Sequence, residues 1–365
     1  MTAGSEAFVL NLTQEYVARL IDKARKRYNI PAMAVVVMDS AQYLVTQIQG
    51  VRIFSSEVKA ELDDFFHIGS CSKSILALIA GKFVEQGQIH WNTKFFDIYP
   101  ELVGIAYEEY HNITLEDLFL CRAGIQPFTS GAEKLPEFAS SVSNPRLEFI
   151  KYLIRQPPAA RASKGRFKHL YSNASYTMAS AMLEKVSGKT WEELVTATLS
   201  DELGLSVLFG WPNRYDQNQP WGHAVWADGK FKEFPPDDNY RLPDLIAPAG
   251  DLSMTPLGYA KYVQLHLRGL TGMDNYLSSK TYKYINYGHE GFSLGVVNSA
   301  IGGKRFSNID GSAGTFYCHT IIIPESDWAY VIMANCGSIQ AVKGIHWVSK
   351  KMAKKYFNWW WKFWL

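Results

Sequence analysis

Ser70 and Lys73 are the residues of this chain whose types and spacing could do chemistry together. They open an apolar run, Ile75-Leu76-Ala77-Leu78-Ile79-Ala80, that predicts a helix. On a helix, positions i and i+3 lie one turn apart on the same face, so a hydroxyl and an amine are held within mutual reach. The serine would also stand at the positive end of the helix dipole. A weak hydroxyl, a neighbouring base and a field that supports negative charge are what an activated nucleophile requires. Two further clusters carry compatible groups. Tyr171-Ser172-Asn173 directly precedes a predicted helix from Ala174 to Ser187, and a tyrosine and asparagine two apart in an extended lead-in project to one side. A phenol is a poor base unless a cation lowers its pKa, and Lys73 would be such a cation. Asp310-Gly311-Ser312-Ala313-Gly314 joins two predicted strands. Its glycines let backbone approach a ligand closely, and the Ser312 N–H is a candidate second oxyanion donor beside that of Ser70.

The elements that must position these groups follow from hydrophobic period and turn residues. Glu15 to Tyr28 reads as an amphipathic helix stopped by Pro31. Ala32–Met38 and Tyr43–Gln49 read as a hairpin around Asp39-Ser40-Ala41-Gln42, and Phe66 to Gly69 leads into the Ser70 helix. Thr114 and Asp117 mark a capped helix start. The stretch from Trp211 to Asp238 reads as loop. Phe292–Val297, Arg305–Ile309, Phe316–Ile323 and Trp328–Met333 read as strands, and a last helix runs from about Ile339 to Phe357. Strands at both ends with helices between them predict an α+β fold: one antiparallel sheet built from both termini, flanked by helices, with an all-helical lobe inserted. The expected division is a discontinuous sheet lobe of residues 1–73 and 250–365, a helical lobe of 74–249, and an active site between them.

Composition narrows the function classes. The chain has 365 residues, 47% hydrophobic and 20% charged, which is globular and large enough for a sizeable core. Its net charge of +2 provides no field that would recruit nucleic acid. Cys71, Cys121, Cys318 and Cys336 are far apart without metal-ligand spacing and read as free buried thiols. The opening residues Met1 to Glu6 show no basic patch followed by an apolar stretch, so the expected location is cytoplasmic, or periplasmic if a leader has been removed. No apolar run is long enough to span a membrane.

Ser-x-x-Lys, then Tyr-x-Asn about a hundred residues on, then a Gly-Ser strand edge near the C-terminus resembles the serine β-lactamase and penicillin-binding-protein superfamily. The resemblance is to its class C β-lactamase-like branch, which includes DD-peptidases, carboxylesterases and D-amino-acid amidases. Phe66-His67-Ile68-Gly69-Ser70, Ile113 to Gly124, Gly165 to Asn173, Leu203-Gly204-Leu205, Pro220-Trp221-Gly222-His223 and Pro248-Ala249-Gly250-Asp251-Leu252 are similar in type and order. The resemblance implies a β-lactamase/transpeptidase-like fold with Ser70 as nucleophile and Lys73 as base or proton relay. It implies Tyr171 as general acid/base, Asn173 orienting Lys73 and the substrate, and the N–H groups of Ser70 and Ser312 as oxyanion hole. Gly311 and Asp310 fall in the same substrate-binding segment. No cofactor and no metal are implied, and the expected partner is a small-molecule ester or amide.

The chain departs from the family at the third motif. Where relatives have Lys-Thr-Gly or His-x-Gly, this sequence has Ile309-Asp310-Gly311. The missing cation helps bind the substrate carboxylate of penicillins and peptidoglycan stems, so esters and amides lacking that carboxylate fit better; in a shifted register, Lys304 or Arg305 would supply the charge. His223 reads as a structural loop histidine ahead of a pocket residue. The tail Trp359-Trp360-Trp361-Lys362-Phe363-Trp364-Leu365 fits a weak membrane-interface contact, and equally a cap on the sheet or a dimer contact.

Overall fold

The computed structural model describes residues 12–129, 133–163, 166–225 and 230–357; Gly165 and the aromatic tail lie outside them. Helix α1 (Gln14–Tyr28) starts under Thr13, whose hydroxyl accepts the Tyr16 amide at 3.2 Å. It ends at Tyr28, as expected, but the residue that stops it is Asn29, left-handed at φ 53°. Pro31 instead offers its carbonyl to the Arg25 guanidinium at 2.8 Å. Strands β1 (Ala32–Met38) and β2 (Tyr43–Gly50) form the expected hairpin. A short strand β3 (Phe66–His67) leads through a 3-10 turn, Gly69–Cys71, into helix α2 (Ser72–Glu85). Helix α3 (Leu115–Phe119) has the capping box read from Thr114 and Asp117. Helix α4 (Asn173–Ser187) is capped by Ser172 and closed by Gly188 in the left-handed region. Then follow β4 (Val207–Phe209), β5 (Leu252–Met254), α5 (Pro256–Leu270), β6 (Val297–Ile301), β7 (Lys304–Ser312), β8 (Tyr317–Ile323), β9 (Trp328–Ala334) and α6 (Ile339–Phe357).

The main sheet runs β6-β7-β8-β9-β1-β2, antiparallel throughout, and so joins the two ends of the chain. Its strand β1, flanked by β9 and the edge strand β2, is buried at every position because both faces are covered. Alternate residues serve two cores: Ala34, Val36 and Met38 belong to the core that α2, α4 and α5 help to build, whereas Met33, Val35 and Val37 belong to the one that α1 and α6 help to build. Full burial of a Val- or Ile-sized side chain contributes about 1.5–3 kcal/mol, so this two-sided strand anchors the sheet. Helix α2 is buried without interruption from Ser72 to Gly81, as expected for a helix running through a core.

Three expectations need correction. The inserted segment is predominantly helical but carries short strands, among them the pair Ala162–Ser163 and Arg166–Phe167. The stretch from Trp211 to Asp238 contains a hairpin, Gly222–Val225 with Phe231–Phe234. Phe292–Val297 is not a strand: Ser293 N–H bonds the Val296 carbonyl at 2.8 Å across a turn containing Gly295 at φ +78°. Leu294 and Val296 are buried there by tertiary packing, which a period-2 reading cannot distinguish from a strand. All four cysteines are free and buried, as read from their spacing. Among the described residues no helix is long and apolar enough to cross a membrane.

Two buried histidines tie these layers together in the neutral state. His223, on the hairpin, donates from Nδ1 to the Asn335 carbonyl at 2.7 Å and accepts the Phe54 N–H at Nε2, 3.1 Å away. This makes it structural, as expected. In α5, His266 accepts from the Asn286 amide at Nδ1 and faces the Tyr262 hydroxyl at Nε2, 3.0 Å in each case. Tyr262 donates on to Ser74 in α2. Burial lowers the pKa of His223 to about 4 and of His266 to about 3, from an ordinary 6.5. Between those values and 6.5 the unfolded chain binds more protons than the folded one, so this contribution is complete above pH 6.5 and is lost as pH falls through the window. Thermal unfolding followed by circular dichroism should show the melting temperature dropping from about pH 7 to about pH 5, with a shallower drop in His223→Gln. A melting temperature flat across that range would contradict neutral burial.

Candidate active site

The site begins with a backbone turn that positions Ser70. β3 pairs with β5, and the Ile68 N–H bonds the Leu252 carbonyl at 2.9 Å. His67, fully buried, accepts the Gly69 N–H at Nδ1 (3.2 Å) and meets the Asp251 carboxylate at Nε2 (3.1 Å), while its ring lies 4.4 Å from that of Trp211. Gly69 then turns at φ +51°, a left-handed conformation that favours glycine. Ser70 sits in the 3-10 turn immediately before α2, not in its first regular turn, and the i, i+3 relation to Lys73 is kept because the turn runs straight into the helix.

β7 passes directly against this turn. A Cβ at Gly311 would lie 1.9 Å from the Ile68 carbonyl oxygen and 2.8 Å from the Ser70 nitrogen; a Cβ at Gly69 would lie 2.3 Å from the Ser312 nitrogen. Only two glycines allow so close an approach. The backbone nitrogens expected as oxyanion donors are therefore brought to one place. The Ser312 hydroxyl is occupied locally, donating to the Phe316 carbonyl at 2.7 Å and accepting the Gly314 N–H at 3.0 Å.

Lys73 is 1% exposed, and its Nζ has three partners: the Ser70 hydroxyl at 3.1 Å, Asn173 Oδ1 at 2.8 Å and the Ala249 carbonyl at 2.7 Å. As an ammonium it would donate to all three. As a neutral amine it would donate to Asn173 and Ala249 and present its lone pair to Ser70. The same geometry thus satisfies both protonation states, which is what a proton acceptor for Ser70 needs. Asn173 is itself oriented: its Nδ2 donates to the Phe128 carbonyl at 2.8 Å and its N–H bonds the Pro127 carbonyl at 2.8 Å. Phe128 has φ 47°, a strained value for a non-glycine residue, held here beside the site. Tyr171 is half-buried, with Lys73 Nζ 4.8 Å from its ring centre and Phe292 edge-on at 6.0 Å.

Ser70, Lys73, Tyr171, Asn173, Gly311 and the Ser312 backbone are therefore gathered together, and Asp310 is not. Its carboxylate faces the opposite side of the sheet, where Oδ1 meets His319 Nδ1 at 2.6 Å and Oδ2 accepts from the Tyr317 hydroxyl at 3.0 Å. The cause is strand alternation: Ile309 and Gly311 face α2, so Asp310 between them cannot. The observed register also excludes a substitute cation from β7, since Lys304 bonds Ser326 and Arg305 pairs with Glu325 near the strand's other end. Sequence reasoning missed the acceptors on Ala249 and Phe128 because a carbonyl carries no residue-type signal. In the sequence, Pro248-Ala249-Gly250 reads only as a family-like string.

Gly311→Ala tests the abutment of β7 on the turn. Displacing one oxyanion donor costs about 10²–10³ in rate, so covalent labelling of Ser70 by a fluorophosphonate should slow by at least about a hundredfold. Labelling at the wild-type rate by the folded variant would mean that this contact does not form the site.

Comparison with known proteins bears on the family and the fold. Among curated proteins, unguisins hydrolase ungD of Aspergillus violaceofuscus is 25% identical over 259 residues, covering 67% of this chain and 43% of that protein. Its counterpart in Aspergillus campestris is 25% identical over 205 residues, covering 54% and 36%. The chain thus spans less than half the length of these relatives. In fold it is similar to D-amino acid amidase from Ochrobactrum anthropi SV3 (TM-score 0.74, 16% identity, 94% of this chain and 98% of that one). It is also similar to an octameric penicillin-binding protein homologue from Pyrococcus abyssi (TM-score 0.72, 18% identity, 94% and 78%). The family model described as Beta-lactamase matches residues 17–344, nearly the whole of the described fold, and the chain belongs to the Beta-lactamase family.

Proposed function

We propose that the chain is a serine acyl-hydrolase or acyltransferase that forms an acyl-enzyme on Ser70 and acts on small esters or amides. The observation that carries this reading is the placement of Lys73 Nζ 3.1 Å from the Ser70 hydroxyl, with its other bonds fixed by Asn173 and Ala249. In the first half-reaction Ser70 Oγ attacks the carbonyl carbon and its proton passes to Lys73, or through Lys73 to Tyr171. The oxyanion is held by the N–H groups of Ser70 and Ser312. Collapse expels the alkoxide or amine, which takes that proton back. In the second half-reaction water or another nucleophile attacks the ester on Ser70 by the same relay, and the serine regains its proton.

The leaving group and acceptor follow less directly. Ile309 is 2% exposed and apolar where relatives carry a cation. A hydrogen bond to a charged group contributes about 1.5–3 kcal/mol, so its loss removes roughly ten- to over a hundredfold of affinity for substrates bearing a carboxylate at that point. Esters and amides without that carboxylate are therefore favoured over β-lactams and peptidoglycan stems. An amidase among the fold neighbours and a hydrolase among the curated relatives support this direction.

The test is a panel of a short-chain nitrophenyl ester, D-amino-acid amides and a chromogenic cephalosporin, run on wild type and Ser70→Ala. Hydrolysis of ester or amide well above cephalosporin, abolished in Ser70→Ala, is the expected result. Faster cephalosporin hydrolysis would favour a true β-lactamase. Absence of both turnover and fluorophosphonate labelling in a folded preparation would favour a silent binding protein of the same fold.

A further inference from the structure

The face of the sheet remote from Ser70 carries a second polar cluster that the acyl-transfer reading does not use. Asp310 and His319 are direct cross-strand partners on β7 and β8, and His346 reaches them from α6. Each offers one ligand atom, and these atoms all lie within 4.8 Å of one another. The imidazoles are 4.7 Å apart at 70°, so the rings converge without stacking.

We infer that Asp310, His319 and His346 form a binding site for a zinc-like divalent transition-metal ion. The donor set is one carboxylate and two imidazoles, which suits Zn(II) with bonds of about 2.0–2.1 Å and leaves a fourth tetrahedral position open. The contact between Asp310 Oδ1 and His319 Nδ1, 2.6 Å, is a hydrogen bond; an ion entering there would take the Nδ1 lone pair and the Asp310 carboxylate, with the single ring proton moved to Nε2, where it is donated to Ser349. The ligands are prepared for this exchange. His319 is held from behind, its Nε2 lying 3.1 Å from the Ser349 hydroxyl, which in turn meets the Tyr330 hydroxyl at 2.5 Å. A ligating histidine is commonly oriented by such a second bond on its other nitrogen. The other Asp310 oxygen is fixed by Tyr317. His346, together with Ser349 and Tyr330, also lines a cavity of about 290 Å³ between α6 and the sheet, so the cluster is reached from that side through His346 alone. This site is independent of the acyl-enzyme reading, and either can fail without the other.

Isothermal titration of zinc chloride into the chelator-stripped full chain is the test, with Co(II) absorption as a second readout. The expected result is a saturable single-site isotherm and the intense visible bands of four-coordinate Co(II). Both should be lost in His346→Ala and Asp310→Asn. Ser349→Ala, which removes no ligand but takes away the orienting bond and the contact with Tyr330, should weaken binding about 10–100-fold. His346 lies at the partly exposed side of α6, so its variant should fold, and circular dichroism checks this. Absence of saturable zinc uptake by the wild type, or uptake unchanged in folded His346→Ala, would overturn the site and leave the cluster as a hydrogen-bonded latch between sheet and helix.

Discussion

The burial of one lysine amine organises this molecule. Lys73 is almost without solvent contact, and a polar group taken out of water is tolerated only if it finds hydrogen-bond partners. Those partners come from three separate parts of the chain: the turn at Ser70, the start of α4 at Asn173, and the 3-10 segment Asp244–Ala249. Leaving a buried polar group unsatisfied costs about 1–3 kcal/mol, so correct docking of these segments and satisfaction of Lys73 are the same event. The arrangement around Ser70 is thereby tied to the fold itself.

The second constraint is steric. Gly69 and Gly311 let β7 lie against the turn before α2 at distances no side chain would permit. The strand that completes the sheet at one end of the chain thereby completes the site at the other. Because its side chains alternate, the same strand presents a close-packed backbone to the Ser70 face and Asp310 to the opposite face. Function on one side and the histidine cluster on the other follow from a single register.

Much of this was legible in the sequence, and the limits have physical causes. The Ser70–Lys73 spacing, the Thr114 cap, the Ser172–Asn173 helix start and the terminal strands are local patterns, and local patterns survive into the fold. Asp310 was misplaced because neighbouring residues on a strand face opposite ways, which only the register decides. The Ala249 and Phe128 carbonyls were invisible because backbone chemistry has no letter. Gly295 was read inside a strand, yet it turns at φ +78° against Lys73: a Cβ there would lie 3.0 Å from the Lys73 carbonyl carbon. The pairing of His319 with His346 depends on α6 folding back over the sheet, a contact between segments that no spacing rule anticipates.

The central claim is that Ser70 carries the acyl group of a substrate through a proton relay at Lys73. The most direct measurement is rapid acid quench of the enzyme during turnover of a short-chain nitrophenyl ester, followed by peptide mass mapping, in wild type and Lys73→Met. The account predicts the acyl mass on the Ser70 peptide of the wild type and its absence from the variant. An acyl group found on another residue, or on Ser70 at the same level and rate in Lys73→Met, would contradict it.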